Sequence, residues 1–276
     1  MASLSIQSTV TLNDGVAMPL FGFGTYQISS GSTCLRALAQ ALTCGYRHID
    51  TAALYGNEAD VGRAVRESGI ARNEVFVTTK LWNSDQGYPS TLKAFERSLA
   101  RLGLDCIDLY LMHWPEPGKR LDSWRAMAEI RTRGHCRSIG VSNFTVKHLE
   151  ELLRVSGVVP SVNQVEFSPF LFQRDLLRFC EAKSIQLVAY CPLTRGDKLR
   201  HPVITAVARK HAKTSAQVLL RWALQHRIAV LPKSSRPERI SENARVFDFA
   251  LDAGDMVQLD RLDEGYRTCW DPSRVR

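Results

Sequence analysis

Short apolar segments alternate with longer amphipathic segments along nearly the whole chain, and this alternation constrains the fold more than any other feature. The amphipathic segments place apolar residues on one helical face, as one of them does with Leu92, Phe95, Leu99 and Leu102. The apolar segments are rich in β-branched and aromatic residues, as buried strands are, and eight of them lie at 19–25, 47–51, 74–82, 106–114, 137–143, 161–167, 185–191 and 228–234. Strands that alternate with helices form a parallel sheet, so the chain is predicted to be an α/β protein.

Eight such strands favour a closed (β/α)8 TIM barrel, because that fold uses eight parallel strands and about 250 residues. Residues 1–276 are therefore expected to form one barrel domain. The early string TVTLNDGVAMP indicates a β-hairpin around Asn13-Asp14-Gly15, which we expect to cap the bottom of the barrel. The competing doubly wound sheet requires a glycine-rich first turn, but GFGTYQ has no third glycine after its first two.

Several residues predict where the helices begin and end. Glycines favour the position just after a helix because they adopt a left-handed conformation there, and five follow helical segments, namely Gly45, Gly69, Gly103, Gly134 and Gly157. Short polar side chains favour the position just before a helix. Asn57, Ser123 and Thr145 are predicted in that role.

Composition restricts the compartment and the class of partner. The seven cysteines are scattered without a CxxC pair, which favours a reducing, cytoplasmic compartment and argues against a structural zinc site. No apolar run is long enough to span a membrane, and the first residues do not resemble a secretory signal. The net charge of +8 comes from basic residues interleaved with acids, and a small polyanionic ligand explains this excess as well as a nucleic acid or a membrane does. We expect a monomer without nucleic-acid or membrane partners.

Polar residues end many of the predicted strands. A barrel places the carboxyl ends of its strands around one mouth, where its chemistry takes place. The residues predicted at this mouth are Gly24, Thr25, Asp50, Lys80, His113, Ser142, Asn143, Gln164, Tyr190 and Lys233, with Tyr55 on the loop after the second strand. Each residue alone has an ordinary explanation such as helix capping, solvation or core packing. The combination of an acid, a phenol, an ammonium and an imidazole indicates proton-transfer chemistry.

The chemistry of these four groups is complementary. A free phenol has a pKa of about 10 and donates its proton poorly at neutral pH. The Lys80 ammonium is expected to lower the pKa of Tyr55, and Asp50 is expected to keep that ammonium charged in a partly buried site. His113 is expected to hydrogen-bond and orient the same substrate oxygen. Tyr55 is therefore predicted to be the general acid.

Six strings in this chain together resemble the aldo-keto reductase superfamily. They are, in order, IDTAALYGNE, VTTKLWN, LYLMHWP, IGVSNF, NQVEFSPF and LPKSSRPERISEN. The resemblance runs from about residue 8 to residue 272. It implies a (β/α)8 fold, carbonyl reduction that depends on NADP(H), and a catalytic tetrad formed by Asp50, Tyr55, Lys80 and His113.

A hydride donor is required because no side chain of the tetrad can deliver two electrons. Tyr190 has an aromatic face suited to a nicotinamide ring, although core packing explains its position equally well. Ser142, Asn143 and Gln164 carry the donors and acceptors that a carboxamide needs.

Positive charge follows the eighth strand. Lys233 and Arg239 are cations, while Ser234 and Ser235 precede a helix whose first N–H groups attract anions. The resemblance assigns the 2′-phosphate of NADPH to Lys233, Ser234 and Arg239, and it places Glu242 and Asn243 near the adenine. It also places Leu193, and less certainly Asp197, over the pyrophosphate. Cys191 and the loop at 194–200 depart from the family pattern, so the contacts that hold the pyrophosphate are expected to differ in detail.

The substrate pocket is predicted from three aromatic residues that lie just past strand ends, namely Tyr26, Trp82 and Trp114, while the position of Trp270 is open. Small or aromatic carbonyls, α-dicarbonyls and keto-sugars are all compatible with such walls.

Two other functions stay open from the sequence. A Schiff-base aldolase would use Lys80 or Lys233 as its nucleophile, although Asp50 would oppose this by keeping Lys80 protonated. A sensor or interaction subunit would bind NADPH without turnover. A metal hydrolase is disfavoured because the mouth lacks a cluster of histidines and carboxylates.

Overall fold

The computed structural model describes residues 4–275. Regular structure begins with a hairpin, in which β1 (Thr9–Thr11) runs antiparallel to β2 (Ala17–Pro19). In the turn, the amide of Gly15 donates to the carbonyl of Leu12 at 2.9 Å, and Gly15 has a φ of 85°. Glycine adopts this left-handed conformation without the steric cost of a Cβ atom. The predicted hairpin is therefore confirmed.

Eight parallel strands follow and form the barrel. Each strand pairs with the next one along the chain, and they are β3 (Phe23–Gly24), β4 (His48–Asp50), β5 (Phe76–Leu81), β6 (Ile107–Met112), β7 (Cys136–Ser142), β8 (Val162–Glu166), β9 (Gln186–Tyr190) and β10 (Ala229–Val230). The barrel closes because the amide of Gly22 donates to the carbonyl of Val230, while the amide of Val230 donates to the carbonyl of Leu20, both at 2.9 Å. The predicted (β/α)8 fold class is confirmed.

Helices surround this barrel. They are α1 (Ser32–Thr43), α2 (Glu58–Glu67), α3 (Tyr88–Leu102), α4 (Arg120–Thr132), α5 (Val146–Val155), α6 (Arg174–Ala182), α7 (Pro202–Lys210), α8 (Ser215–Gln225), α9 (Pro237–Ala244) and α10 (Ala253–Asp260). One helix follows each barrel strand in the usual alternation. The exceptions are α7, which precedes α8 in the connection from β9 to β10, and α10, which follows α9.

Most of the predicted helix ends are correct. Gly45, Gly69, Gly103 and Gly134 all have left-handed φ values, between 59° and 92°, at or just after a helix end. The prediction for Gly157 is wrong, since it has no left-handed φ and the chain leaves α5 in an extended conformation.

The predicted N-caps have three different outcomes. Thr145 caps α5, and its hydroxyl accepts from the amide of His148. Asn57 occupies the N-cap position of α2, but its side chain is buried elsewhere and donates to two carbonyls in the loop after β3. The prediction for Ser123 is wrong, because this residue lies inside α4, whose N-cap is Lys119.

The hairpin lies at the bottom of the barrel, as predicted. Asn13 donates from its side-chain amide to the carbonyl of Pro160 at 3.0 Å, and Asp14 accepts from the hydroxyl of Ser161 at 2.7 Å. Both partners immediately precede β8, so the hairpin covers the amino ends of the strands. Met18 points into the core and is fully buried. The opposite end of the barrel is left for the site.

Gly62 permits unusually close packing of α2 against the end of α3. An ideal Cβ atom added to Gly62 would lie 1.6 Å from the carbonyl oxygen of Leu102. Real Cβ atoms cannot approach an oxygen this closely, and a backbone carbonyl cannot move aside as a flexible side chain can. The spacing of these two helices therefore requires glycine at position 62.

We expect Gly62→Ala to destabilise the protein by about 2 kcal/mol, because the overpacking penalty exceeds the gain of about 1 kcal/mol in helix propensity. Equilibrium unfolding in urea measures this change. Gly254→Ala in α10 is the matched control, since its added Cβ would come no closer than 3.2 Å, to the side chain of Asp252. An equal response of the two variants would contradict the packing argument.

Candidate active site

Four predicted residues meet at the carboxyl end of the barrel. Asp50 is the last residue of β4, Lys80 lies near the end of β5 and His113 immediately follows β6. Tyr55 ends a single turn of 3-10 helix, Ala53–Tyr55, in the loop after β4. All of them except Lys80 line a cavity of about 520 Å³, and the ammonium of Lys80 lies directly behind its wall.

A buried ion pair forms the base of this site. The Nζ atom of Lys80 donates to Oδ1 of Asp50 at 2.6 Å and to the carbonyl of Thr51 at 2.9 Å. Both charged side chains are at most 5% exposed. Burial lowers the pKa of Lys80 from its ordinary value, and the Asp50 carboxylate opposes that shift. The paired carboxylate and the further acceptors favour the charged ammonium.

The third hydrogen bond of Lys80 reaches Tyr55. Its Nζ atom lies 3.3 Å from the phenol oxygen and 4.9 Å from the ring centre. Burial raises the pKa of Tyr55 well above its ordinary value, and the nearby charge of Asp50 adds to this effect. The prediction of a lowered pKa for Tyr55 is therefore wrong, because desolvation dominates. The phenol is protonated, as a proton donor must be.

His113 faces the same phenol. Its ring lies edge-on to Tyr55 at a centroid distance of 5.7 Å and to Trp82 at 5.1 Å. Burial, followed by the charge of Lys80, lowers the pKa of His113 well below its ordinary value, so the imidazole is neutral. Within the described residues its Nδ1 atom is buried without a hydrogen-bond partner. A neutral imidazole can donate one hydrogen bond to a ligand in the cavity.

A chain of hydrogen bonds runs from β9 around the mouth to this ion pair. Tyr190 donates its hydroxyl hydrogen to Asn143 at 2.7 Å, and Asn143 donates to the hydroxyl of Ser142 at 3.1 Å. Ser142 donates to the backbone carbonyl of Gln164 at 2.8 Å, and the side chain of Gln164 donates to Oδ2 of Asp50 at 2.7 Å. Gln164 therefore orients the carboxylate, a role that the sequence did not indicate.

The cavity extends from Asp50 past Tyr190 to Lys233. Beyond Lys233 lie two more exposed cations, Arg236 and Arg239, at the start of α9. Across residues 4–275, no carboxylate lies within ion-pair distance of these three cations, although Glu238 occupies the first turn of the helix. An uncompensated positive cluster of this kind attracts anions.

Six of the predicted cofactor residues do not line the cavity itself, and one of them is Arg239, the exposed cation in α9. Thr25 is fully buried and donates to the carbonyl of Asp50 at 2.9 Å. The others lie along the segment that leads into α9 or within this helix, with Ser234 and Asn243 buried, Ser235 exposed, and Glu242 accepting from Thr214. Gly24 and Leu193 do line the cavity. The roles of these residues stay predictions.

Aromatic residues form the opposite wall. Tyr26, Trp82 and Trp114 all line the cavity, as does Leu54, which the sequence did not single out. Trp270 reaches this wall, with its ring 6.0 Å from that of Trp114, although it is 73% exposed. The wall is thus apolar and partly open, which suits an organic ligand of moderate size.

Several residues of the site have no signal in the sequence. Gln27, Arg195, Arg267, Thr268 and Cys269 line the cavity, and three of them belong to the segment before Trp270. Their contacts cross the molecule, for example from Thr268 to Glu166 at 2.6 Å. Asp197 accepts from Tyr266 at 2.9 Å, and its expected place over a pyrophosphate stays a prediction.

Comparison with known proteins identifies the class. A sequence model of the aldo/keto reductase family matches residues 21–264. Glyoxal reductase of Bacillus subtilis is 49% identical over 271 residues, which cover 98% of each chain. The structure of MGS-M4, an aldo-keto reductase from a Medee basin deep-sea metagenome library, has a TM-score of 0.94 at 45% identity, with 97% of this chain and 99% of that chain covered.

A second similar structure contains a nucleotide. It is the Bombyx mori aldo-keto reductase in complex with NADP, with a TM-score of 0.89 at 34% identity and coverage of 96% of this chain and 95% of that chain. The chain therefore belongs to the aldo/keto reductase family.

Residues 4–275 lack two further features. No helix there combines the length and apolar character needed to cross a membrane. No group of three or more histidines, cysteines or carboxylates there has the arrangement of a metal site.

We expect Asp50→Asn and Lys80→Met each to destabilise the protein by about 3 kcal/mol, because each leaves the other partner as an uncompensated buried charge. The double variant should be at least about 2 kcal/mol more stable than the sum of the single losses predicts. Chemical unfolding of all four proteins measures this coupling. Strictly additive losses would show that the two groups do not depend on one another.

Proposed function

We propose that this protein reduces aldehydes and ketones to alcohols with NADPH, and that Tyr55 is the general acid. The observation that supports this most strongly is the position of the Lys80 ammonium, 2.6 Å from the carboxylate of Asp50 and 3.3 Å from the phenol of Tyr55. The phenol oxygen accepts from the ammonium, so its own hydrogen is free to be donated. His113 lies beside it in the same cavity.

The residues of the mouth fit NADP(H), which would supply the hydride when bound. Tyr190 offers an aromatic wall, Asn143 and Gln164 offer amide groups, and Lys233 with Arg239 offers charge for a phosphate. The hydrogen-bond chain through Asn143 holds Tyr190 in place before any ligand arrives. The NADP complex of the Bombyx mori relative supports the same assignment. Glu242 and Asn243 are proposed near the adenine.

Proton transfer follows from the charges around Tyr55. Its pKa lies well above the ordinary value, so the phenol holds its proton until a stronger base is created beside it. A carbonyl oxygen that gains negative charge becomes such a base. The Lys80 ammonium then stabilises the phenolate that is left, and this interaction is worth more in a buried site than in water. Neutral His113 donates a hydrogen bond that orients the carbonyl oxygen.

The proposed substrates are small or aromatic carbonyls, α-dicarbonyls and keto-sugars. Apolar walls at Trp82 and Trp114 exclude water from the reacting carbonyl, while the rim at Leu54 and Trp270 is exposed and open. The similar Bacillus subtilis protein is a glyoxal reductase, and glyoxal is the simplest α-dicarbonyl. An assay of NADPH oxidation with a panel of carbonyls from these three classes tests the range of substrates.

The two alternative functions make different demands on the site. A Schiff-base aldolase needs a neutral amine, but Lys80 donates to three acceptors, one of them a carboxylate. A sensor would bind NADPH and show no oxidation with any carbonyl of the panel. Borohydride trapping of a substrate on a lysine would support the aldolase, and binding without turnover would support the sensor.

We expect Tyr55→Phe to lower the reductase rate by at least about 100-fold, which is the lower range for loss of a general acid. Affinity for NADPH should change little, because the phenyl ring still fills its place beside His113. Steady-state kinetics and fluorescence titration with NADPH measure the two effects. Equal loss of rate and of nucleotide affinity would contradict the role assigned to Tyr55.

The matched control is Tyr110→Phe. Tyr110 is fully buried in β6, and its hydroxyl has no hydrogen-bond partner among the described residues. Removing this hydroxyl leaves the cavity unchanged, so the control should reduce carbonyls at the normal rate.

We expect Lys233→Met with Arg239→Ala to weaken NADPH binding by at least about tenfold and NADH binding much less, because only NADPH carries the extra phosphate. Titration with each nucleotide measures the difference. The control Lys147→Met with Arg178→Ala removes the same charges from exposed positions on α5 and α6. A parallel loss for both nucleotides would contradict the phosphate assignment.

A further inference from the structure

Two cysteine thiols meet on the wall of the cavity, and the proposed reaction uses neither. Cys191 immediately follows β9, while Cys269 lies in the segment before the carboxyl terminus. Their Sγ atoms are 3.7 Å apart, both residues are partly exposed, and both line the cavity. A disulfide has a sulfur-to-sulfur distance of about 2.05 Å, so the two sulfur atoms would have to approach each other by roughly 1.7 Å to form a bond.

The surroundings of Cys269 favour its thiolate. Its sulfur shares a hydrogen bond with the thiol of Cys191, and the guanidinium of Arg195 donates to it at 3.2 Å. Together these contacts lower the pKa of Cys269 to about 6, although burial and the carboxylate of Glu166 oppose the shift. Tyr190 also faces this thiol as a neutral phenol. A thiolate beside a protonated thiol is the arrangement of a nucleophilic cysteine with its resolving partner.

The two cysteines belong to segments that already hold each other by side-chain contacts. Tyr266 donates to Asp197 at 2.9 Å, and Lys198 pairs with Glu264 at 2.6 Å while lying 4.2 Å from the ring of Tyr266. These contacts join the loop at 191–201 to the segment at 264–270. We call the whole set, with the two cysteines, the clasp.

The loop side of the clasp has a strained backbone. Cys191, Thr194 and Arg195 have φ values of 48°, 49° and 52°, in the left-handed region that non-glycine residues rarely adopt. Each such residue carries a steric cost, because its Cβ atom comes close to the backbone carbonyl oxygen that follows. The loop keeps this conformation because surrounding contacts hold it, so their strength determines how readily it opens.

We propose that Cys191 and Cys269 form a redox pair, which hydrogen peroxide converts into a disulfide that locks the clasp. In the first step the Cys269 thiolate attacks one peroxide oxygen, the O–O bond breaks, and a sulfenic acid and hydroxide form. In the second step the Cys191 sulfur attacks the sulfenic sulfur, the S–O bond breaks, and hydroxide leaves with the thiol proton as water. Together the thiolate and the thiol lose two electrons, and the peroxide becomes one water and one hydroxide, which takes up a proton from the solvent to become the second water.

The effect of this bond on catalysis rests on the proposed function. Leu193 and Arg195 lie between Cys191 and the rest of the loop, and both line the cavity where the nucleotide is proposed to bind. A nucleotide covered by this loop can leave only when the loop opens. The disulfide ties the loop to a segment that Glu166 anchors through Thr268 and the amide of Cys269. The oxidised protein should therefore exchange nucleotide slowly.

The decisive experiment maps the thiols after treatment with a small excess of hydrogen peroxide. Reduced protein has seven free cysteines, and we expect the titratable thiol count of denatured protein to fall by two. Peptide mass spectrometry should show one linked pair, Cys191 with Cys269, which dithiothreitol releases. A different linked pair, or sulfinic acid at Cys269 without a link, would overturn the proposal.

Two variants and one control test the order of the steps. In Cys191→Ser the sulfenic acid of Cys269 should accumulate and react with dimedone, because no resolving thiol is present. In Cys269→Ser neither the link nor dimedone labelling of Cys191 should appear. Cys44→Ser is the control, since Cys44 is a half-buried thiol that contacts Gln40 and Ser241, and it should form the link normally. Dimedone labelling at Cys191 in place of Cys269 would reverse the assignment.

The rate of oxidation has a distinctive pH dependence. With the pKa of Cys269 at about 6, the reactive thiolate is already dominant at neutral pH. The oxidation rate should therefore be nearly constant between about pH 7 and pH 8, whereas an ordinary thiol with a pKa of about 8.5 would gain severalfold. Below about pH 6 the rate should fall about tenfold per unit. A severalfold rise from pH 7 to pH 8 would contradict the thiolate assignment.

Nucleotide release separates this inference from the proposed function. Stopped-flow fluorescence should show that NADPH leaves the oxidised protein at least about tenfold more slowly than the reduced protein, and that dithiothreitol restores the rate. If the link forms but release is unchanged, the locking role of the disulfide is wrong. If neither form binds NADPH while the link still forms, the proposed function fails and the redox pair stands.

Discussion

The buried ion pair between Asp50 and Lys80 is the interaction on which the site depends. Removing two charges from water costs several kcal/mol for each ion, and here the cost is offset by short hydrogen bonds on every side of the pair. Lys80 has three acceptors, and Asp50 accepts from both Lys80 and Gln164. The positive charge is thereby fixed beside the phenol of Tyr55, where it acts as a preorganised field for the phenolate.

The barrel makes this arrangement possible because it delivers each group on a separate rigid strand. Asp50 and Lys80 end neighbouring strands, so their side chains reach each other without a flexible loop. Gln164 comes from the other side of the barrel, 114 residues further along the chain. A closed sheet brings such distant strand ends to one mouth, and its backbone hydrogen bonds fix their separation. The hairpin under the barrel occupies the opposite end and leaves this mouth free.

The sequence predicted the parts of the site that rest on local periodicity, and it failed where the outcome depends on contacts across the molecule. Asp50, Lys80 and His113 could be placed because they end apolar runs whose alternation gives the strand boundaries. The positions of Thr268 and Cys269 could not, because the last segment has no periodicity and is held by Glu166 on β8. The predicted direction of the pKa shift of Tyr55 was wrong for a related reason. A neighbouring charge is visible in a motif, whereas the extent of burial is set by the whole fold.

The two halves of the cavity wall differ in the contacts that hold them. The half formed by strand ends carries the proposed proton transfer, whereas the half formed by the loop covers the proposed nucleotide site. Backbone hydrogen bonds hold the strands that carry Asp50, Lys80 and Gln164. Side-chain hydrogen bonds also join these three residues, so they have little freedom to move. The loop from Cys191 to Arg195 has three left-handed non-glycine residues, and side-chain contacts of the clasp join it to the segment at 264–270. The contacts of the clasp therefore have to hold this strained backbone in place. A covalent bond at Cys191 would act on the loop and leave the ion pair and the phenol in place.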